Sequence, residues 1–233
     1  MAELTHVLFD FFGTLVSYSP SLVEQGYPRS HEILAAAGAR AGYDEFLERW
    51  SATVEEFEGR ALSSLDEFSM DQVCADFLRR VLPRPPDEAL LARFRDVYLE
   101  EWSKGVAHIP GVTALLADLS ARFTLVLVTN THHADLVHGH LRAMTAGRYF
   151  DEVVTSVEHG RRKPSPCIFE HALQRSAGTS ATSVYIGDSY AADYLGAAGA
   201  GLRCLLIDAD ERHDVPESSR LGHILDVRTL LDE

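Results

Sequence analysis

Val7-Leu8-Phe9-Asp10 places three apolar side chains on successive positions and then stops at a carboxylate. The design recurs at Leu125-Val126-Leu127-Val128, Val153-Val154, Val184-Tyr185-Ile186 and Cys204-Leu205-Leu206-Ile207, and each run ends in a polar residue. Runs that are apolar at every position, not at alternate ones, belong to strands covered on both faces, as in parallel sheets. Stretches of helical length separate the later runs, at about 132–147, 164–177 and 189–200. The predicted fold is therefore α/β, a doubly wound parallel sheet with right-handed crossovers. Ligands of such sheets sit beyond the carboxyl ends of the strands, so the polar residues closing the runs are where chemistry is expected.

Residues 17–106 break this rhythm, with no strand-like run and four segments of helical spacing. The second carries Phe46, Leu47, Trp50, Val54 and Phe57 as an apolar stripe. The third opens at Ser69-Met70-Asp71-Gln72, the pattern of a capping box, and stops at Pro83. The fourth follows Pro85-Pro86, with Asp87 and Glu88 at its positive end. The expected organisation is a Rossmann-like core of residues 1–16 and 107–233, with an α-helical cap domain of residues 17–106 inserted after the first strand. The polar stretch Asp208 to Arg220 is the one segment that reads as a candidate for disorder.

The chain has 233 residues, 46% of them hydrophobic and 24% charged, which is long enough to bury a sizeable core without disulfides. Its 35 acidic residues against 21 Lys and Arg give a net charge of −14, a field that repels nucleic acids and anionic membranes. Neither is an expected partner. Cys74, Cys167 and Cys204 lack the short spacings of zinc or redox pairs and read as reduced, mostly buried thiols. There is no basic stretch followed by an apolar core near Met1, and no apolar run approaches membrane-spanning length, so the expected location is cytoplasmic.

Aligning the strand ends gathers Asp10, Thr129 with Asn130, and Asp188 at one edge, with Lys163 on a loop entering the next helix. Carboxylates brought together there (Asp10, Asp188, Asp193) must share protons or hold a cation, and a hard divalent ion, Mg2+, suits a sparse set of this kind. Lys163, one of two lysines beside Lys104, supplies a compact positive charge, and Thr129 a hydroxyl donor, both suited to a phosphoryl group. Asp10, at a strand tip, is placed as the nucleophile.

These segments resemble the four motifs of the haloacid dehalogenase superfamily of hydrolases, in order: Phe9-Asp10-Phe11-Phe12-Gly13-Thr14-Leu15, Leu127-Val128-Thr129-Asn130, Lys163-Pro164, and Ile186-Gly187-Asp188-Ser189 with Asp193. The resemblance spans the chain, with the helical insertion in the place of the type-one cap. It implies a covalent intermediate on Asp10, with Thr129 and Lys163 stabilising the transferred group and Asn130, Thr14 and Phe12 around the substrate. It also implies magnesium held by Asp10, Asp188 and the main-chain carbonyl of Phe12, with Asp193 as ligand or support. A small phosphorylated molecule is the implied substrate.

The sequence departs from that pattern at Phe12, where phosphatases of the superfamily carry a second aspartate that protonates the leaving group and activates water. Dehalogenases of the superfamily have an aromatic residue there, whereas Gly187-Asp188-Ser189 with Asp193 is phosphatase-like. Phosphoryl transfer is preferred, with either a good leaving group or another acid: His132, His133, Tyr18 or His31. The alternatives are a metal-independent 2-haloacid-type dehalogenase and a catalytically reduced member that binds a phosphorylated ligand. The histidines His132, His133, His138 and His140 read as a polar helix face, since neighbours on a helix point apart.

Overall fold

A computed structural model describes residues 3–19 and 25–231. The chain forms two compact units, Met1–Ser17 with His108–Glu233, and Tyr18–Ala107.

The first unit holds a six-stranded parallel sheet. Its strands are β1 (His6–Phe9), β4 (Thr124–Thr129), β5 (Glu152–Thr155), β6 (Ser183–Gly187), β7 (Arg203–Ile207) and β8 (Arg220–Leu221), in the order β5-β4-β1-β6-β7-β8. All four residues of β1 and all five of β6 are buried, as runs without alternation require. The two short strands β2 (Val16–Tyr18) and β3 (Val106–His108) pair with each other where the chain passes between the units.

β1 lies at the switch point of the winding, with β4 on one side and β6 on the other. Phe9 is level with Leu127 and with Ile186, so the chain leaves the sheet at Asp10, Thr129 and Asp188 within two residues of a common level. Beneath this edge Leu8, Val126, Val128, Ile168, Phe169 and Tyr185 form one packed cluster. Phe169 comes from the helix Pro166–Ser176, whose Pro at the first turn has no missing hydrogen bond to regret.

The second unit has four helices among the described residues: α1 (Pro28–Ala36), α2 (Tyr43–Ser64), α3 (Met70–Val81) and α4 (Glu88–Trp102). Ser69 and Gln72 close the capping box at the start of α3, and Asp87 accepts the Leu90 N–H at 2.8 Å to start α4. The buried stripe of α2 is Phe46, Trp50, Thr53 and Ala61, with Leu47, Val54 and Phe57 only half-buried. The buried face of α2 is therefore narrower than its apolar pattern, and it includes Thr53, whose hydroxyl goes to the Arg49 carbonyl at 2.9 Å. Trp50 is the hub, with ring centroids 5.0 Å from Phe77 and 4.4 Å from Tyr98.

Glu101, fully buried on α4, caps α1 from 71 residues away. Its carboxylate accepts the Ser30 N–H at 3.0 Å and the Ser30 hydroxyl at 2.7 Å, and also the Arg29 N–H at 3.0 Å. Tyr27, at the cap position of α1, makes no side-chain capping bond to the helix. Glu101→Ala strands three donors, the two of Ser30 buried, and is expected to destabilise the protein by about 3 kcal/mol, read as a shift of the denaturant midpoint. A midpoint unchanged within error would contradict this account of α1.

Two other features depart from the sequence reading. β8 is only two residues long and carries no pattern. The stretch Asp208 to Arg220 is organised: the buried Asp208 accepts the N–H groups of Arg212 at 3.1 Å and His213 at 3.0 Å. The described helices include none long and apolar enough to cross a membrane. Cys74 and Cys204 are buried and Cys167 is half-buried, and all three are free.

Candidate active site

The edge of the sheet collects charge in a place with little water. Asp10 hangs from the end of β1, with its N–H held by the Ile186 carbonyl at 2.9 Å. Lys163 meets it from the loop between the short helix Ser156–His159 and the helix Pro166–Ser176, Nζ to Oδ1 at 2.7 Å, with both side chains almost wholly buried. Asn130 fixes that loop by a two-point clamp, accepting the Lys163 N–H at 2.8 Å and donating to the Lys163 carbonyl at 3.1 Å. The side-chain amide thus reads the lysine's backbone, and the ammonium is left to face inward.

The three N–H bonds of Lys163 are all in use. Beside Asp10, they reach Asp193 Oδ1 at 2.6 Å and the Tyr185 hydroxyl at 2.8 Å. Asp193 is completely buried, and its second oxygen accepts the Ser189 N–H at 2.9 Å. This reach depends on a wide turn. Residues Tyr190–Leu195 form a π-helical turn, in which the Tyr194 N–H returns to the Ser189 carbonyl, before an ordinary turn at Gly196–Gly199. The sequence reading gave this stretch one regular helix; the extra residue that swings Asp193 back over Gly187 has no periodic signal. A Cβ on Gly187 would overlap the Asp193 carboxylate.

Asp188, half-buried, accepts the Thr14 hydroxyl at 3.3 Å. Gly13 (φ +85°) lets the turn after β1 press against it, since a Cβ there would overlap the Asp188 carboxylate. Thr129 closes β4 and is buried, one residue before the Asn130 clamp. Phe12 is half-buried, its ring edge-on to Phe11 at 5.0 Å. All eight residues singled out from the sequence therefore lie at or next to the strand-end edge of this one unit.

Oxygens of Asp10, Asp188 and Asp193 lie within 4.8 Å of one another, the only group of three such ligand atoms among the described residues. Three carboxylates face one ammonium. Burial pushes the Asp10 carboxyl up to about 7, against the pull of Lys163, and Asp193 and Asp188 add repulsion. Asp188 is raised by burial and then by Asp193. Burial works against the charge of Lys163, yet Asp10 and Asp193 outweigh it and hold the ammonium above its usual range. This donor set fits a hard divalent cation: carboxylate oxygens only, in negative excess, with Asp10 and Asp188 less committed than Asp193, whose two oxygens are both engaged by the protein.

Among the alternative acids, His31 gives its Nε2 to the contact with the Ala41 carbonyl at 3.0 Å, and its ring packs on Phe46 in the helical unit. Tyr18 lies against Trp102 in the same unit. His132 and His133 follow Asn130 and Thr131 in the sheet unit, both half-buried. The histidines of the helix Ala134–Ala143 do not converge: His140 meets His108, Nδ1 to Nε2 at 3.3 Å. Tyr185 was not among the residues the sequence pointed to. The available signal was a hydroxyl in an otherwise apolar buried strand, which must find a polar partner.

Residues 4–201 match the family model of haloacid dehalogenase-like hydrolases. The chain is 28% identical over 226 residues to a ribulose-1,5-bisphosphate 5-phosphatase of Halopiger xanaduensis, covering 92% of this chain and 89% of that one. It is 26% identical over 230 residues to a phosphoglycolate phosphatase of Pseudomonas fluorescens, covering 97% and 78%. A 2-haloacid dehalogenase structure from Pseudomonas syringae superposes with a TM-score of 0.75 over 98% of both chains at 23% identity, a likeness of fold.

Proposed function

The chain belongs to the haloacid dehalogenase-like hydrolase family, and from that premise we propose a magnesium-dependent hydrolase of small phosphate esters or anhydrides that works through an aspartyl-phosphate on Asp10. The observation that carries this reading is the buried Asp10, Asp188, Asp193 and Lys163 cluster at the sheet's switch point, with its excess of negative charge. Relatives named as phosphatases support it. The helical unit is the cap in this reading.

Asp10 attacks phosphorus through a carboxylate oxygen, and the bond from phosphorus to the leaving oxygen breaks with its electron pair on that oxygen. Water then cleaves the acyl phosphate, giving inorganic phosphate and the free carboxylate. Lys163 steadies the Asp10 carboxylate, and Thr129 offers its hydroxyl to the transferred group. Asp10 and Asp188 would hold Mg2+ with the Phe12 carbonyl, and Thr14 orients Asp188; Asp193 serves Lys163. Bound there, the ion supplies charge neutralisation for the phosphoryl oxygens.

Phe12 carries no proton, so the leaving group departs unassisted from that position. This favours acyl, phenolic or anhydride phosphates, with His132 and His133 as the acids still in the same unit. Phosphate release from acetyl phosphate, p-nitrophenyl phosphate and an alkyl phosphate, with and without Mg2+, tests the reading. Release that requires Mg2+ and is fastest for the first two is expected; equal rates for all three contradict the leaving-group argument.

The aromatic Phe12 also favours a second reading, a hydrolytic 2-haloacid-type dehalogenase with an aspartyl ester on Asp10. Halide release that a chelator leaves untouched, with no phosphate release from any ester, would establish that one instead.

A further inference from the structure

We infer that Tyr185 is a positioning residue for Lys163, fixing the direction in which the ammonium presents its charge to Asp10; this rests on the phosphohydrolase reading for its consequence in turnover, but not for the contact itself. An ammonium has three N–H bonds and can aim any of them by rotation. Two of the acceptors here are charged, Asp10 Oδ1 at 2.7 Å and Asp193 Oδ1 at 2.6 Å, and the third is the neutral Tyr185 hydroxyl at 2.8 Å.

The hydroxyl is itself pinned. It accepts from Lys163 and has the Val128 carbonyl at 3.0 Å and Asp193 Oδ1 at 2.9 Å to receive its own proton. Tyr185 stands on β6 and Val128 on β4, with β1 between them, so the phenol reaches past the strand that carries Asp10. Its ring is held edge-on by Phe169 at 5.0 Å, inside the apolar cluster beneath the site. A fixed ring and a satisfied hydroxyl leave one place for the third N–H. With that direction set, the other two are set toward Asp10 and Asp193.

Without the hydroxyl, the third N–H loses its acceptor, and the Val128 carbonyl and Asp193 lose a donor. The ammonium then either turns, weakening its bond to Asp10, or exchanges with whatever water enters. Tyr185→Phe keeps the ring and its packing on Phe169 and removes the hydroxyl, and with it the contacts to Lys163, the Val128 carbonyl and Asp193. Retention of fold is checked by the backbone amide spectrum.

The chain has two lysines, Lys104 and Lys163, and Lys104 is exposed. In metal-free protein labelled with 15N-lysine, Lys163 is therefore expected to give a slowly exchanging ammonium signal at pH 6, well resolved from that of Lys104. In Tyr185→Phe the signal is expected to broaden or vanish. In turnover the variant is expected to lose about 10-fold in kcat on p-nitrophenyl phosphate, with KM within about 3-fold, as loss of one hydrogen bond to a charged group suggests. A wild-type protein with no protected ammonium overturns the inference, and so does a variant whose ammonium signal is unchanged. A loss of signal in a protein that releases no phosphate from any ester leaves the positioning intact and removes the proposed activity instead.

Discussion

Asp10→Asn is expected to lower Mg2+-dependent phosphate release by at least about 10³-fold while leaving the protein folded, because the amide cannot form the acyl phosphate. The same change is expected to stabilise the metal-free protein at pH 8. The reason is the sign of the shift at Asp10. Its carboxyl rises from an ordinary 3.8 to about 7, so the folded state holds this proton more tightly than the unfolded chain does.

Stability associated with this group is thus whole below about pH 4 and is lost as pH rises to about 7. A shift of that size corresponds to a penalty of about 4 kcal/mol above pH 7, as an upper bound. Asp188 is raised and acts in the same sense, while Lys163, also raised, keeps its charge throughout this range.

Metal-free wild type is accordingly expected to melt several degrees lower at pH 8 than at pH 6. Mg2+ should recover most of the loss, since a cation on the carboxylates removes their repulsion. Asp10→Asn should narrow the gap between the two pH values and respond less to Mg2+. Melting scans of both proteins, with and without the ion, separate the effects. A wild type that becomes more stable from pH 6 to pH 8 without metal, with the variant following it, would remove the electrostatic basis of the site.

The parts of this architecture that were legible in the sequence are those whose signal is local. Val7 to Asp10 announces a buried strand and its polar end in four residues, and Ser69 with Gln72 announces a helix start in four more. Asp10, Thr129 and Asp188 could be grouped because each closes or follows such a run and parallel register then brings them level, while Lys163 joins them from a loop that Asn130 holds. What escaped depends on residues distant in sequence. Glu101 caps a helix 71 positions earlier, and nothing near either end records it. The hydroxyl of Tyr185 acquires its meaning only when Lys163, 22 residues before it, is folded against it. The π-helical turn at Tyr190–Leu195 is set by where Asp193 must point, which is a tertiary demand and not a periodicity.

Phe12→Asp is expected to raise turnover of alkyl phosphates by about 10²–10⁴-fold, the usual worth of a general acid, while p-nitrophenyl phosphate gains far less. The difference lies in the leaving groups. An alkoxide is strongly basic and departs slowly unless protonated, whereas nitrophenolate departs as the anion. Position 12 is half-buried, two residues after Asp10. A carboxylic acid introduced at a half-buried position has its charged form disfavoured by lost hydration, which helps it keep a proton to give. The change also removes the edge-on contact with Phe11, at a cost of about 1 kcal/mol that a melting scan would register. Equal gains on both esters would point to altered binding instead of proton transfer. No gain on either, in a variant that still binds Mg2+ and still turns over acetyl phosphate, would mean that the site already has its acid and that Phe12 is not what limits it.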